Sequence, residues 1–134
     1  MSALAPAVEP LTILIAEDSA ADLLLLSTIV RRQGHHVITA SNGEEAVEVF
    51  ARERPQLVLM DALMPVMDGF GAARQIKQLA GEELVPIIFL TSLRESAALA
   101  ECLDAGGDDF LPKPYNQLIL AAKINAMDRL RRLQ

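Results

Sequence analysis

The sequence predicts an α/β domain built on a doubly wound, five-stranded parallel sheet, and three observations carry that expectation. Short runs rich in Ile, Leu and Val alternate with longer stretches of helical spacing from one end of the chain to the other. The first, third and fourth runs are apolar on successive residues, as strands covered by helices on both faces must be. Capping and breaking residues fall between the segments, where a change of element requires them.

In order, the first run is Thr12 to Ala16, and the first helix spans Ala20 to Gln33 with Gly34 as its C-terminal cap. The second run, His36 to Thr39, leads through Ser41-Asn42 into a helix from Gly43 to Arg54 that Pro55 stops. The third run, Leu57 to Met60, precedes a helix from Phe70 to Ala80. Met67-Asp68-Gly69 supplies the turn between them, and Asp68 the N-cap. Pro86 to Thr91, Ser96 to Ala105, Asp109 to Leu111 and Asn116 to Leu133 complete the series. The second and fifth runs are short and more polar, which suits edge strands and gives the flavodoxin-like (βα)5 order 2-1-3-4-5.

A chain of 134 residues fits one core. The expected division is a loose segment over residues 1–10, rich in Pro and Ala, followed by one domain over 11–134 whose last helix has no stop signal, as in a domain excised from a longer chain or one that stands alone. Met1 to Pro10 lacks the basic start and apolar run of a signal peptide. Leu23 to Leu26 and Val85 to Leu90 are far shorter than the ~20 apolar residues that span a bilayer. With Cys102 the only cysteine, no internal disulfide is available, and the expected compartment is the cytoplasm. A net charge of −6 argues against nucleic acid as a partner. The basic cluster Arg129, Arg131 and Arg132 is placed to oppose the negative end of the last helix dipole.

In an open parallel sheet, ligands bind beyond the carboxyl ends of the strands. Glu17-Asp18 follows the first strand, Asp61 ends the third, Thr91 ends the fourth and Lys113 follows the fifth. With strands one and three adjacent, three carboxylates crowd together, and they require either a proton or a cation. Oxygen-only ligands suit Mg2+ or Mn2+. Lys113 and the Thr91 hydroxyl offer donors to phosphoryl oxygens, and a carboxylate nucleophile such as Asp61 can form an aspartyl phosphate.

Five ordered motifs, Ile13 to Asp18, Leu57 to Asp61, Met64 to Gly69, Phe89 to Ser92 and Asp108 to Pro114, make residues 11 to 133 resemble the response-regulator receiver family of two-component signalling. The resemblance implies that Asp61 is the phosphorylation site. It implies that Asp18 and Asp61 bind the metal directly, with Glu17 acting through water and Leu63 giving its main-chain carbonyl. Lys113, Thr91 and Ser92 would bind phosphate, and Thr91 with Phe110 would form the switch. Lys113-Pro114 matches a cis peptide of the family. The implied donor is a histidine kinase or phosphotransfer protein, and the chain would catalyse only its own phosphorylation and dephosphorylation. The implied switching surface is the fourth helix, fifth strand and fifth helix, which would reach an output domain or a second copy.

Single residues have plainer uses. Asp18-Ser19 is a helix cap in its own right, and Lys113 between two prolines is ordinary loop sequence. His35-His36 falls in the turn opposite the carboxylate edge. Cys102 reads as a small buried hydrophobe and the leucines of the first helix read as core, while the last helix keeps apolar residues at Leu120, Ile124, Met127 and Leu130. Leu63 and Leu93 are apolar where many relatives are polar, which predicts shielding of the acyl phosphate from water. A haloacid-dehalogenase-like phosphatase also uses an aspartate nucleophile and Mg2+, but Leu63 stands where that family places a second aspartate. A degenerate receiver acting only as a binding module would have lost one of Glu17, Asp18, Asp61, Thr91 or Lys113.

Overall fold

The computed structural model describes residues 9–64, 66–92 and 96–133, and the side chains of 96–99 are not described. Five strands, β1 (Thr12–Ala16), β2 (His36–Ala40), β3 (Leu57–Asp61), β4 (Ile87–Thr91) and β5 (Asp109–Pro112), alternate with five helices. These are α1 (Ala20–Arg32), α2 (Gly43–Glu53), α3 (Gly69–Ala80), α4 (Ser96–Asp104) and α5 (Gln117–Arg132). All pairings are parallel, in the order β2-β1-β3-β4-β5. The predicted boundaries hold to within a residue or two. At Pro86 the ladder starts one residue late, because proline has no N–H to give, although its carbonyl still accepts from Val58 N at 3.0 Å.

The doubly apolar strands are central and the polar ones lie at the edges, as their composition requires: β3 and β4 are buried throughout, whereas β2 and β5 are partly exposed. Because successive strand residues face opposite ways, each central strand feeds two cores. Leu14, Val58, Met60, Ile87 and Phe89 meet Phe50, Phe70 and Ile76 of α2 and α3 on one face. Ile13, Ile15, Leu57, Leu59, Ile88 and Leu90 meet Leu26, Ile29, Leu120 and Ile124 of α1 and α5 on the other. Each such aliphatic side chain contributes roughly 1.5–3 kcal/mol by leaving water. Cys102 is fully buried among the first set, as a small hydrophobe, and burial raises its thiol pKa.

Local capping follows the sequence closely. Asn42 accepts from Glu45 N at 2.8 Å and Asp68 from Gly71 N at 2.9 Å. Gly34, just past α1, takes φ +98°, a left-handed value that glycine adopts without strain.

One expectation about core leucines needs correction. In α1 only Leu26 is buried; Leu23 is half-buried, and Leu24 and Leu25 are 68% and 47% exposed. Four consecutive residues sweep around a helix of 3.6 residues per turn, so one packed face cannot take them all. In α5 Leu120, Ile124 and Met127 are buried, but Leu130 is half exposed because the helix there has run past the sheet. The basic cluster at that end does more than oppose the dipole: Arg131 and Arg132 both hold the buried Asp128 carboxylate, and Arg132 also reaches Glu9 at 3.6 Å.

His35 and His36 lie at the amino-terminal end of the sheet, where His36 pairs with Thr12, away from the carboxylate edge. His35 is buried and its Nδ1 accepts from Leu11 N at 3.0 Å. No helix among the described residues is long and apolar enough to cross a membrane.

Candidate functional site

Strand parity builds the site. Glu17 continues the Ile13-Ile15 side of β1, Asp61 continues the Leu57-Leu59 side of β3, and Lys113 continues the Leu111 side of β5. The Glu17 amide donates to Ala40 O at 3.0 Å, keeping the chain extended beyond β1. All three side chains therefore reach the carboxyl rim on the face covered by α1 and α5. Carboxylate oxygens of Glu17, Asp18 and Asp61 lie within 4.8 Å of one another. Lys113 Nζ sits among the acids, 3.2 Å from Glu17 Oε1 and 3.4 Å from Asp61 Oδ2.

One ammonium does not balance this cluster. Burial, and then the neighbouring Asp61 carboxylate, raise the Glu17 pKa to about 8 against the opposing pull of Lys113. Burial works against the charged form of Lys113 as well, yet Asp61, Tyr115 and Glu17 together hold its pKa above the usual lysine range. Glu17 Oε2 is buried with no hydrogen-bond partner. An orphaned carboxylate oxygen beside two further carboxylates is a donor set that fits a hard divalent cation such as Mg2+.

The other predicted residues take distinct places. Asp18 is the exposed member of the trio, and it does not cap α1: Ser19 does, accepting from Asp22 N at 3.3 Å. The Leu63 amide donates to Asp61 Oδ1 at 3.3 Å, folding the loop after β3 back over the carboxylate, while the Leu63 side chain is about half exposed. Gly69 makes that loop possible, since a Cβ there would collide with the Asp61 carbonyl. Thr91 is buried at the end of β4, its carbonyl accepting from Lys113 N at 2.9 Å, and Ser92 is exposed next to it. Thr91 has the parity of Phe89, the face on which Phe110 packs. Phe110 is half-buried, and Lys123 Nζ lies 5.8 Å from its ring centroid. The Lys113-Pro114 peptide is cis. Leu93 lies outside the described residues.

Two neighbours of the site escaped the sequence reading. Asp22 Oδ2 approaches Lys113 Nζ at 3.7 Å. Its spacing of four residues from Asp18, one helical turn, was the available signal. Tyr115 has a buried hydroxyl without a partner, and burial raises its pKa; nothing in the sequence marks it.

A doubly wound sheet with an acidic trio and a lysine at its rim defines a class of phosphoacceptor switches, and the comparisons with known proteins agree. The family profile described as the response regulator receiver domain matches residues 13–125, and the chain belongs to that family. It is a phosphoacceptor domain of two-component signalling.

Among curated proteins it is 41% identical over 117 residues to the probable transcriptional regulator ycf27 of Pyropia yezoensis, covering 87% of this chain and 47% of that one. It is 34% identical to the transcriptional regulatory protein AfsQ1 of Streptomyces coelicolor over 118 residues, 88% of this chain and 51% of the other. The chain thus spans about half the length of the curated relatives it matches. Among solved structures, it resembles the receiver domain of the sensor histidine kinase PA1611 from Pseudomonas aeruginosa PAO1, which has a magnesium ion coordinated in its active site cleft. That likeness has a TM-score of 0.79 at 31% identity, over 90% of this chain and 97% of that one. Receiver domains bind Mg2+ at an acidic pocket and interact with histidine kinases or phosphotransfer proteins, and they are not enzymes in the ordinary sense.

Proposed function

We propose that Asp61 is the carboxylate that takes the phosphoryl group, and that the chain catalyses this step on itself with Mg2+ or Mn2+ held by Glu17, Asp18, Asp61 and the Leu63 carbonyl. The observation that most supports this reading is the trio of carboxylates around one ammonium, with a buried Glu17 oxygen left over. Asp61 is the member that touches both Lys113 and the backbone amide of Leu63, so its two oxygens are oriented before a donor arrives.

In the step itself an Asp61 oxygen attacks phosphorus, the P–N bond of a phosphohistidine breaks, and the imidazole nitrogen takes up a proton as it leaves. The metal, when bound, supplies charge neutralisation and a binding position for one phosphoryl oxygen. Lys113 moves its donors from the acids to a second oxygen, and the Thr91 hydroxyl with Ser92 serves the third. Positioning and charge stabilisation of this kind carry most of phosphoryl transfer.

Thr91 and Phe110 share one side of the sheet, so a Thr91 drawn toward the phosphoryl group frees space into which Phe110 moves. The result is a changed surface on α4, β5 and α5, read by an output domain or a second copy of the chain. The greater length of the curated relatives supports an output domain outside the part they share with this chain.

The test is intact-protein mass spectrometry after incubation with acetyl phosphate. Wild type gains one phosphoryl group with Mg2+ and none with chelator, and Asp61→Asn gains none. A variant that is still modified at the wild-type rate refutes the assignment of Asp61.

A further inference from the structure

Asp22 stands outside the set of site residues assigned above, yet it completes the environment of Lys113. The ammonium touches three carboxylates, Glu17, Asp61 and Asp22, the last at 3.7 Å from the first turn of α1. The Asp22 side chain is 38% exposed, against 0% for Glu17 and 7% for Asp61, so it is the outermost of the three and lies on the solvent side of the site. Through Nζ its carboxylate is within roughly 7 Å of the Asp61 oxygen that would be attacked. The carboxylates gathered within 4.8 Å of one another are Glu17, Asp18 and Asp61, and Asp22 stands beside that group, against Lys113.

We propose that Asp22 is a positioning residue that holds Lys113 at the mouth of the site and sets an electrostatic threshold against free, highly charged phosphodonors. This rests on the reading of Asp61 as phosphoacceptor. Any donor must bring a negative phosphoryl group past Asp22, and Lys113 must partly leave that carboxylate to receive it. A fixed charge at this distance acts in proportion to the donor's own charge. At low ionic strength it slows a monoanion about twofold and a dianion about fivefold. An aspartate in the first turn of a helix is also favourable to the helix dipole. That role alone predicts a loss of stability on neutralisation and the same effect on every donor.

The experiment compares wild type, Asp22→Asn and Asp22→Glu with Mg2+ present, using acetyl phosphate, a dianion near neutral pH, and phosphoramidate, a monoanion. Acetate leaves from the first as the P–O bond breaks; ammonia leaves from the second, with proton uptake, as the P–N bond breaks. Initial rates are followed against donor concentration at low and high salt. Asp22→Asn is expected to accelerate the acetyl phosphate reaction about fivefold and the phosphoramidate reaction about twofold, chiefly through half-saturation, with both gains shrinking in high salt. Asp22→Glu should behave as wild type.

Equal changes with the two donors, no acceleration, or gains that ignore salt would overturn the role of Asp22 while wild type still took up phosphate. A wild type that accepts phosphate from neither donor would overturn the Asp61 reading, and this inference with it.

Discussion

Neutralising Asp18 should stabilise the metal-free protein and remove most of its response to Mg2+. Its carboxylate lies within 4.8 Å of oxygens of both Glu17 and Asp61, and it makes no bond to Lys113 among the described contacts. At that separation two like charges repel by about 1 kcal/mol in a water-like medium, and by more where the surroundings are less polar. Asp18 is exposed, so the lower figure applies, and above the Glu17 pKa of about 8, where Glu17 carries its charge, two such repulsions come to about 2 kcal/mol. Against this stands the favourable field of the α1 amino terminus, at most about 1 kcal/mol. The cap itself is unaffected, because Ser19 provides it.

Asp18→Asn should therefore gain about 1 kcal/mol, or some 3–5 °C in Tm for a domain of this size. The assay is thermal and urea unfolding at about pH 9, above the Glu17 pKa of about 8, first in chelator and then across a Mg2+ titration. A ligand at a hundred times its Kd stabilises a native state by about 2.7 kcal/mol, and the variant should lose most of that increment at the wild-type saturating concentration. A variant no more stable than wild type in chelator, or one with an undiminished Mg2+ response, would refute the reasoning.

Gly69→Ala should destabilise the protein by about 2 kcal/mol or more and slow phosphorylation, since the new Cβ meets the rigid carbonyl of Asp61; urea unfolding and acetyl phosphate kinetics report both. His35 is held neutral by burial, which lowers its pKa despite the counter-pull of Asp128, and its Nδ1 serves as an acceptor for Leu11. The unfolded chain then binds the extra proton first, so stability should fall as pH drops through about 6.5, and His35→Asn, which retains an acceptor but does not titrate, should flatten that slope in unfolding measured at several pH values. Polar residues at Leu63 and Leu93 should shorten the life of the phosphorylated form by roughly tenfold, the effect of about one hydrogen bond on an attacking water; timing phosphate loss decides this, and an unchanged half-life removes the shielding idea.

Much of this protein could be read without coordinates because its local signals agree with its global form. Apolar runs at Leu57–Asp61 and Ile87–Thr91 are buried on both faces, and the polar His36–Ala40 and Asp109–Pro112 lie at the edges. Ten elements in strict alternation leave few ways to wind a parallel sheet, because the crossovers share one hand. The residues that end or follow strands β1, β3 and β5 are carried to one rim by that winding, which is why Glu17, Asp18, Asp61 and Lys113 were recognisable together.

Other features depended on directions that periodicity leaves open. Leucine at 24, 25 and 26 is the same letter three times, yet only Leu26 faces the sheet. The helix phase relative to its neighbours made that choice. Asp22 and Tyr115 acquired their surroundings from Lys113, more than ninety positions away from the former. His35 became a buried acceptor only because Leu11 offered an amide across the fold.

The amino-acid order by itself determined which segments are strands, how they wind and which side chains arrive at the carboxyl edge, since these follow from spacing and apolar content. Only the tertiary structure decided which carboxylate holds the ammonium, which oxygen is left without a partner and which leucines meet water. Those outcomes depend on angles and separations of a few ångströms between elements distant in sequence, and electrostatic and packing energies change steeply over that range.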